Sequence, residues 1–272
     1  MTIKNILVSF NGGAPAVSAL EMAINLAERT GAHLTGALTH GLPNMLYAYG
    51  GHIPQAAMDQ LEEADKLHRD EVCKTFMDMT SGQPADHIHF LDIYGEADEM
   101  LMETALGFDL VVMGPPEKSP NFPHMEAHAD VVARNSGKPV LVVPVGYDAA
   151  RFNGNVLLAW DGKRAASRAM SDVVKLLDSS AKILVLCIGE EKAAAKKAKP
   201  VMTHLERHGF ETELLCERSR KIAKTILAIA KERDVGVLAM GAYEHAKLAE
   251  DLFGGVTNTV LKKAKVPVLL SH

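Results

Sequence analysis

The sequence has few cysteines, no excess of positive charge and no long hydrophobic run. Its three cysteines (Cys73, Cys187 and Cys216) are scattered through 272 residues without a C-x-x-C spacing, which argues against a disulfide framework and a zinc ribbon. The formal net charge of −5 leaves no basic footprint for nucleic acid or an anionic membrane. No apolar run approaches the roughly 18 residues of a membrane-spanning helix. We therefore expect a cytoplasmic chain with reduced thiols that contacts neither nucleic acid nor membrane.

The chain nearly repeats itself across its middle. Three blocks recur in the same order: NILVSFNGG at 5–13 and NVLLAWDGK at 155–163, FDLVVMG at 108–114 and VGVLAMG at 235–241, and GKPVLVVP at 137–144 and AKVPVLLS at 264–271. The offset falls from 150 residues for the first block to 127–128 for the later two, so the first half carries about 22 extra residues, around Gly41 to Asp70. The repeat predicts two tandem domains, 1–146 and 153–272, joined by a polar stretch.

Each half alternates short β-branched apolar runs with helical patterns, which is typical of βαβ units and a buried parallel sheet. In the second half, for example, the run at 156–160 precedes Ala166, Met170 and Val173 at helical spacing. The pattern predicts the α/β class: two tandem doubly wound α/β/α domains, each with a five-stranded parallel sheet and four helices. In such sheets ligands bind at the carboxyl ends of the strands, beside the topological switch point.

The last strand of each half is short and strongly apolar, at 140–143 and 268–270. Such strands leave open sheet edges unless they pair with one another. We expect them to pair antiparallel across a pseudo-twofold axis, so that the two halves form an internal dimer.

Candidate binding residues in the second half follow the predicted first and fourth strands. Gly241 ends the fourth strand, and Gly254 and Gly255 open the last helix, where main-chain N–H groups and the helix dipole favour an anion. Asp161 ends the first strand, where a carboxylate can accept hydrogen bonds from a ribose or an adenine. The alternative is structural: Asp161 caps the next helix and the glycines form turns.

These residues also resemble a known family. The strand followed by Asp161-Gly162, the sequence Met240-Gly241-Ala242 and the block GAYEHAKLAEDLFGGVTNTVLKKAKVPVLL are similar to the universal stress protein family in its tandem form. Its domains have the adenine nucleotide alpha-hydrolase-like fold, and its nucleotide-binding members carry G-x2-G-x9-G-[ST] after the fourth strand. Gly241 and Gly254 match the first and third glycines, whereas Glu244 and Gly255 depart from the pattern.

The resemblance implies a ligand, ATP or another adenine nucleotide, with or without Mg²⁺. It assigns Asp161 to the adenosine end and Ile188 to the adenine through its main chain. It assigns four residues to the phosphates: Gly241, His245, Gly254 and Gly255. Thr257, also counted in the implied site, matches a hydroxyl that is frequent in the family two residues after the position of Gly255. A carboxylate at Glu244 repels phosphates unless it turns outward or binds a Mg²⁺ that they share. No catalytic residue and no protein-held metal site is predicted.

The first half lacks most of these features. Asn11 replaces Asp161, Pro115 removes an N–H donor, and Glu126 places a negative charge at a helix start. We expect this half not to bind nucleotide in the family manner. Nearby, His124 and His128 are four residues apart and are expected on one helical turn, where a metal pair is the less favoured interpretation.

Three classes of function stay open. The leading hypothesis is a stress-response protein whose C-terminal domain binds an adenine nucleotide as a sensing or regulatory ligand for an unidentified protein partner. The second is an enzyme, either a slow ATP hydrolase or a transferase of the wider adenine nucleotide alpha-hydrolase-like group that the family resembles. It ranks below binding, because no activated nucleophile or general base is evident in the sequence. The third is a nucleotide-free interaction scaffold with decayed sites. A further homodimer of the whole chain is compatible with each of them.

Overall fold

The computed structural model describes residues 3–41, 55–116, 122–152, 154–178, 180–242 and 255–272. Within these ranges the chain forms ten strands: β1 (Asn5–Ser9), β2 (His33–His40), β3 (Ile88–Tyr94), β4 (Leu110–Met113), β5 (Val140–Val142), β6 (Val156–Ala159), β7 (Lys182–Ile188), β8 (Glu211–Glu217), β9 (Val237–Gly241) and β10 (Val268–Ser271). The same ranges hold eight α-helices: α1 (Ala14–Thr30), α2 (Gln55–Met79), α3 (Ala97–Ala105), α4 (Ala129–Asn135), α5 (Arg164–Val173), α6 (Glu191–Arg207), α7 (Ile222–Glu232) and α8 (Val256–Lys263).

All ten strands belong to one sheet, in the order β3-β2-β1-β4-β5-β10-β9-β6-β7-β8. Every pairing within a half is parallel, which confirms the five-stranded parallel sheet predicted for each domain. The expected antiparallel pairing of the final strands is also confirmed, with Leu141 opposite Leu269. This pairing covers two apolar edges at once and makes the two sheets continuous.

Helices cover both faces of the sheet, as the apolar strands require. β4 and β5 consist of branched apolar residues and methionine, and are almost fully buried on both faces. One apolar cluster holds buried side chains of α1, α2, α5 and α6, and a second holds those of α3, α4, α7 and α8. The fold is therefore doubly wound in both halves. No helix in the described ranges is both long and apolar enough to cross a membrane.

The segment that joins the halves packs against both of them. Tyr147 and Phe152 are buried, with 7% and 6% of their surface exposed. The Gly146 N–H donates to Ser18 Oγ of α1 at 2.9 Å, and Tyr147 Oη donates to the Gly236 carbonyl of the second half at 3.4 Å. The stretch that the sequence marks as a polar linker thus contributes two aromatic side chains to the junction.

Part of the extra length of the first half lies in α2. This helix has 25 residues, whereas its counterpart α6 has 17. Its last turns hold Val72 and Phe76 in the core, and the Phe76 ring lies where a side chain on Gly36 of β2 would stand. The rest of the insertion, at 42–54, lies outside the described residues.

Candidate functional site

Three of the predicted site residues converge at one edge of the second-half sheet. β6 lies between β9 and β7, and both pairs are parallel, so the carboxyl ends of the three strands meet. Asp161 follows β6, Ile188 ends β7 and Gly241 ends β9. The chain leaves β6 towards β7 and returns at β9 on its other side, which makes this edge the topological switch point.

Asp161 shapes the turn between β6 and α5. Its Oδ1 accepts the Lys163 N–H at 2.9 Å, and its Oδ2 lies 4.0 Å from Lys163 Nζ. In the first half, Asn11 Oδ1 accepts the Gly13 N–H at 3.1 Å in the same way. In both halves, the turn therefore needs only one side-chain oxygen, which Asn11 and Asp161 both supply. The negative charge is found only at Asp161, whose side chain is 54% exposed.

Two cations beside Asp161 were not singled out in the sequence. Lys163 and Arg164 are exposed at the start of α5, where the helix dipole also attracts an anion. A third cation, Lys197 of α6, lays its aliphatic stem about 3.6 Å from the position of a Cβ on Gly162. The sequence could have indicated Lys163 and Arg164, because the repeat aligns Asp-Gly-Lys-Arg at 161–164 with Asn-Gly-Gly-Ala at 11–14.

Gly241 has a structural role that is independent of any ligand. A Cβ at this position would lie 2.7 Å from both the Ala166 nitrogen and the Ala165 Cβ, because α5 crosses β9 closely here. The first half has the same arrangement, where a Cβ on Gly114 would lie 2.3 Å from the Pro15 Cβ. Both glycines are therefore required because a helix packs closely on a strand at this point. The sequence by itself also allowed a structural role for Gly241, although as part of a turn.

The other predicted residues lie at the start of α8 or outside the described ranges. Gly255 is the N-cap of α8, and among the described residues nothing lies within 4 Å of where a Cβ on it would stand. Thr257 lies in the first turn and is 7% exposed, so its side chain is mostly buried. His245 and Gly254, together with Glu244, lie outside the described residues.

The corresponding edge of the first half encloses a cavity of about 170 Å³. Asn11, Gly114 and Glu126 line it, and the rings of His68 and Phe122 form one wall, stacked with centroids 3.9 Å apart. Ligand sites for molecules of nucleotide size are typically about 300 to 1,000 Å³. The Glu126 carboxylate lies in the lining of this cavity, and the lack of nucleotide binding in this half stays a prediction.

A polar network beside this cavity joins α2 to β2 and β3. His40 Nε2 lies 3.0 Å from Asp92 Oδ1, Arg69 Nε lies 3.3 Å from Asp92 Oδ2, and Arg69 Nη1 lies 3.2 Å from His40 Nδ1. Because a guanidinium can only donate, His40 Nδ1 accepts and the neutral ring carries its proton on Nε2. Burial lowers the pKa of His40 below its ordinary value of 6.5, and the opposing effect of Asp92 does not reverse this.

His124 and His128 do not share a helical turn, so that expectation is wrong. His124 lies in a short 3₁₀ turn at 123–125, and His128 precedes α4, because Pro123 starts one turn and the chain extends before the next helix begins. His124 Nε2 contacts Asp65 and His128 Nδ1 contacts Asp98, each at 3.0 Å. Among the described residues, no group of three or more His, Cys, Asp or Glu side chains could hold a metal ion.

The cysteines are poorly suited to nucleophilic chemistry. Cys187 of β7 and Cys216 of β8 are directly opposite in the parallel register. Burial raises the pKa of the Cys187 thiol to about 11, and burial also raises the pKa of Cys73 and Cys216. Thiols with such pKa values stay protonated near neutral pH, and the thiolate is the reactive form.

Comparison with known proteins defines the family. The model of the universal stress protein family matches residues 2–144 and again residues 153–272, and the chain therefore belongs to this family. Universal stress protein Slr1230 of Synechocystis is 25% identical over 170 residues, which cover 60% of this chain and 57% of that protein. The chain thus matches less than two thirds of the length of this relative.

Solved structures share the whole fold. A universal stress protein from Archaeoglobus fulgidus is 17% identical and superposes with a TM-score of 0.71, over 99% of this chain and 96% of that one. A functionally unknown protein from Pseudomonas aeruginosa PAO1, also 17% identical, gives a TM-score of 0.59 over 99% and 92% of the two chains. At this identity the likeness concerns the fold alone. It supports the tandem α/β architecture.

Proposed function

We propose that the second half of this universal stress protein binds an adenine nucleotide at the carboxyl edge of β6, β7 and β9, as a sensing or regulatory ligand. One observation carries the proposal: the turn after β6 has the same geometry in both halves but differs in charge. Asp161 and Lys163 stand where the first half has Asn11 and Gly13, although either pair forms the same hydrogen-bonded turn.

The charges around this turn suit the two ends of a nucleotide. The exposed Asp161 carboxylate can accept hydrogen bonds from ribose hydroxyls or an adenine amino group. Lys163 and Arg164 place positive charge at the start of α5, where phosphate oxygens also meet helix N–H groups. The N-cap of α8 at Gly255 offers a second helix start for the phosphates.

The first test is mass spectrometry of small molecules released from the purified, denatured protein. Calorimetric titration of the nucleotide-free protein with ATP and with AMP follows, each with and without Mg²⁺. We expect one adenine nucleotide per chain. Two per chain would overturn the assignment to the second half alone, whereas no nucleotide and no heat of binding would favour a nucleotide-free scaffold. Turnover of ATP in the same samples would favour the hydrolase.

Matched variants locate the site. Asp161→Ala removes the charge, whereas Asn11→Ala removes the equivalent turn-forming side chain of the first half. Loss of a hydrogen bond to a charged group costs about 1.5–3 kcal/mol, so we expect Asp161→Ala to weaken binding roughly 10- to 150-fold. Asn11→Ala should leave binding unchanged. Equal effects of the two variants would contradict an asymmetric site.

A further inference from the structure

The two halves of the chain carry opposite net charge. Residues 1–146 hold 8 basic and 19 acidic side chains, whereas residues 153–272 hold 20 basic and 14 acidic side chains. With neutral histidines the formal charges are −11 and +6, which the total of −5 for the whole chain conceals. A molecule with such opposed halves attracts a second copy of itself when the copy is turned so that unlike halves meet.

The opposed charges lie on one face of the sheet, on the helices at its two ends. α2 packs on β2 and β3, α6 packs on β7 and β8, and the buried side chains of both helices belong to the same apolar cluster. α1 and α5 pack between them, over the centre of the sheet. α2 holds seven acidic and three basic side chains, whereas α6 holds two acidic and five basic ones.

α6 turns a stripe of lysines to solvent. Its buried residues recur every three to four positions from Ala194 to Leu205. The opposite side of the helix therefore carries Lys192, Lys196 and Lys199, and all three are exposed. The ion pairs within the described part of the second half use other cations. Among the described residues, these three positive charges are thus unpaired.

α2 turns mainly acidic side chains to solvent in the corresponding way. Val72 faces the core. The opposite side of the helix carries Asp59, Glu63 and Asp70, all of them exposed, with Lys74 one turn further on. Within the described residues, the ion pairs of α2 use other side chains. This stripe therefore offers carboxylates to a partner over about three helical turns.

A twofold rotation places the two stripes against each other. Two copies can stack this face on this face about a twofold axis that lies between them and runs parallel to the strands. The rotation exchanges the two ends of the sheet, so that α2 of each copy lies over α6 of the other and the contact occurs twice. An axis perpendicular to the strands in the same plane would instead place α2 on α2 and α6 on α6, with like charges opposed.

We propose that this face is the interface of a homodimer, in which the acidic helix α2 of each chain contacts the basic helix α6 of the other. The same rotation brings α1, which exposes Glu21 and Glu28, over α5, which exposes Arg164 and Arg168. Because these charges are exposed to solvent, the strength of the interface falls with salt. The interface is separate from the pairing of β5 with β10, which joins the two halves of one chain.

The first test is the mass of the purified full chain in solution. Sedimentation velocity is compared at about 0.01 M salt, where charges interact over about 30 Å, and at about 1 M salt, where screening limits them to about 3 Å. We expect a dimer at the lower salt and a monomer at the higher salt, at the same protein concentration. A monomer under both conditions, or a dimer that salt does not weaken, would overturn the proposal.

Two triple variants test which helices meet, the first with an acidic α6 and the second with a basic α2. Their substitutions are Lys192→Glu with Lys196→Glu and Lys199→Glu, and Asp59→Lys with Glu63→Lys and Asp70→Lys. Each variant alone should raise the dissociation constant at least about 100-fold, because a dimer contains the reversed stripe twice. An equimolar mixture should form a heterodimer, since the two reversed stripes attract each other and the other contact keeps its native charges.

Reversal of three lysines on the other face of the sheet is the control. Lys262→Glu, Lys263→Glu and Lys265→Glu make the same change of charge at the end of α8, whose buried side chains belong to the second apolar cluster. This variant should dimerise like the wild type, and far-ultraviolet circular dichroism checks that every variant is folded. A dimer of either triple variant alone, no heterodimer in the mixture, or an equal loss in the α8 variant would place the interface elsewhere and overturn the proposal.

Discussion

Arg29 of α1 and Asp178, which follows α5, form an ion pair at 2.6 Å that joins the two halves. The same guanidinium lies 5.0 Å from the centre of the Phe152 ring and donates to the Phe152 carbonyl at 3.4 Å. One arginine therefore contacts the first half, the joining segment and the second half. This arrangement holds the joining segment in place on one side of the pseudo-twofold axis.

The first prediction separates the contributions of this arginine. Arg29→Ala should lower the free energy of unfolding by about 1–2 kcal/mol, because the stem and the cation–π contact with Phe152 are lost. Asp178→Ala should cost less than about 0.5 kcal/mol, since Asp178 is 73% exposed and water screens the pair. Urea unfolding measures both. Equal losses would show that the ion pair dominates instead.

A second prediction concerns the pH dependence of stability through His40. Asp92, Arg69, Asp65 and His124 surround it, and burial lowers its pKa. Below the unfolded value of 6.5 the unfolded chain therefore binds a proton that the folded chain does not. Stability is fully present above that pH and is lost as the pH falls through it towards the lower folded pKa.

Replacement by glutamine tests the assignment. His40→Gln keeps a donor for Asp92 and an acceptor for Arg69 but does not titrate. Urea unfolding between about pH 7.5 and pH 5 should show a smaller loss of stability in this variant than in the wild type. The same slope in both proteins would exclude His40 as the titrating group.

A third prediction follows from the close crossing of α5 and β9. Gly241→Ala should destabilise the protein by about 1–3 kcal/mol, because the added methyl group meets main-chain atoms that cannot move independently. Gly82→Ala, at a position where a Cβ meets nothing within 4 Å, should change stability by less than about 0.5 kcal/mol. Similar thermal stability of the two variants would contradict the packing role of Gly241.

A fourth prediction concerns thiol reactivity. With a pKa of about 11, Cys187 should react with iodoacetamide much more slowly at pH 7.5 than in the urea-unfolded chain, and its rate should rise with pH. Mass spectrometry of peptides measures the labelling of each cysteine. Rapid labelling of Cys187 in the folded protein at pH 7.5 would mean that its thiol is more accessible than its burial indicates.

A fifth prediction uses the charge difference between the two turns. Lys163→Gly gives the second half the residue that the first half has at this position, so we expect the dissociation constant for ATP to rise about three- to tenfold. Lys231→Ala removes the same charge from an exposed site on α7 and serves as the control. If both variants bind ATP like the wild type, Lys163 makes no contribution to the phosphates.

The sequence by itself determined the repeat, the order of strands and helices, and the pairing of the two final strands. These features follow from local patterns: alternating apolar runs define the buried strands, and an apolar edge strand needs a partner. The placement of Asp161, Ile188 and Gly241 at one edge was also predictable, because parallel strands bring their carboxyl ends together.

Only the tertiary structure decided what the residues at these positions contact. Gly241 is required by its distance to Ala165, the His40 proton is positioned by Arg69, and Tyr147 of the joining segment bonds to Gly236 of the second half. Each of these contacts joins residues far apart in the chain. Their distances depend on how helices and strands pack in three dimensions, which local sequence patterns do not encode.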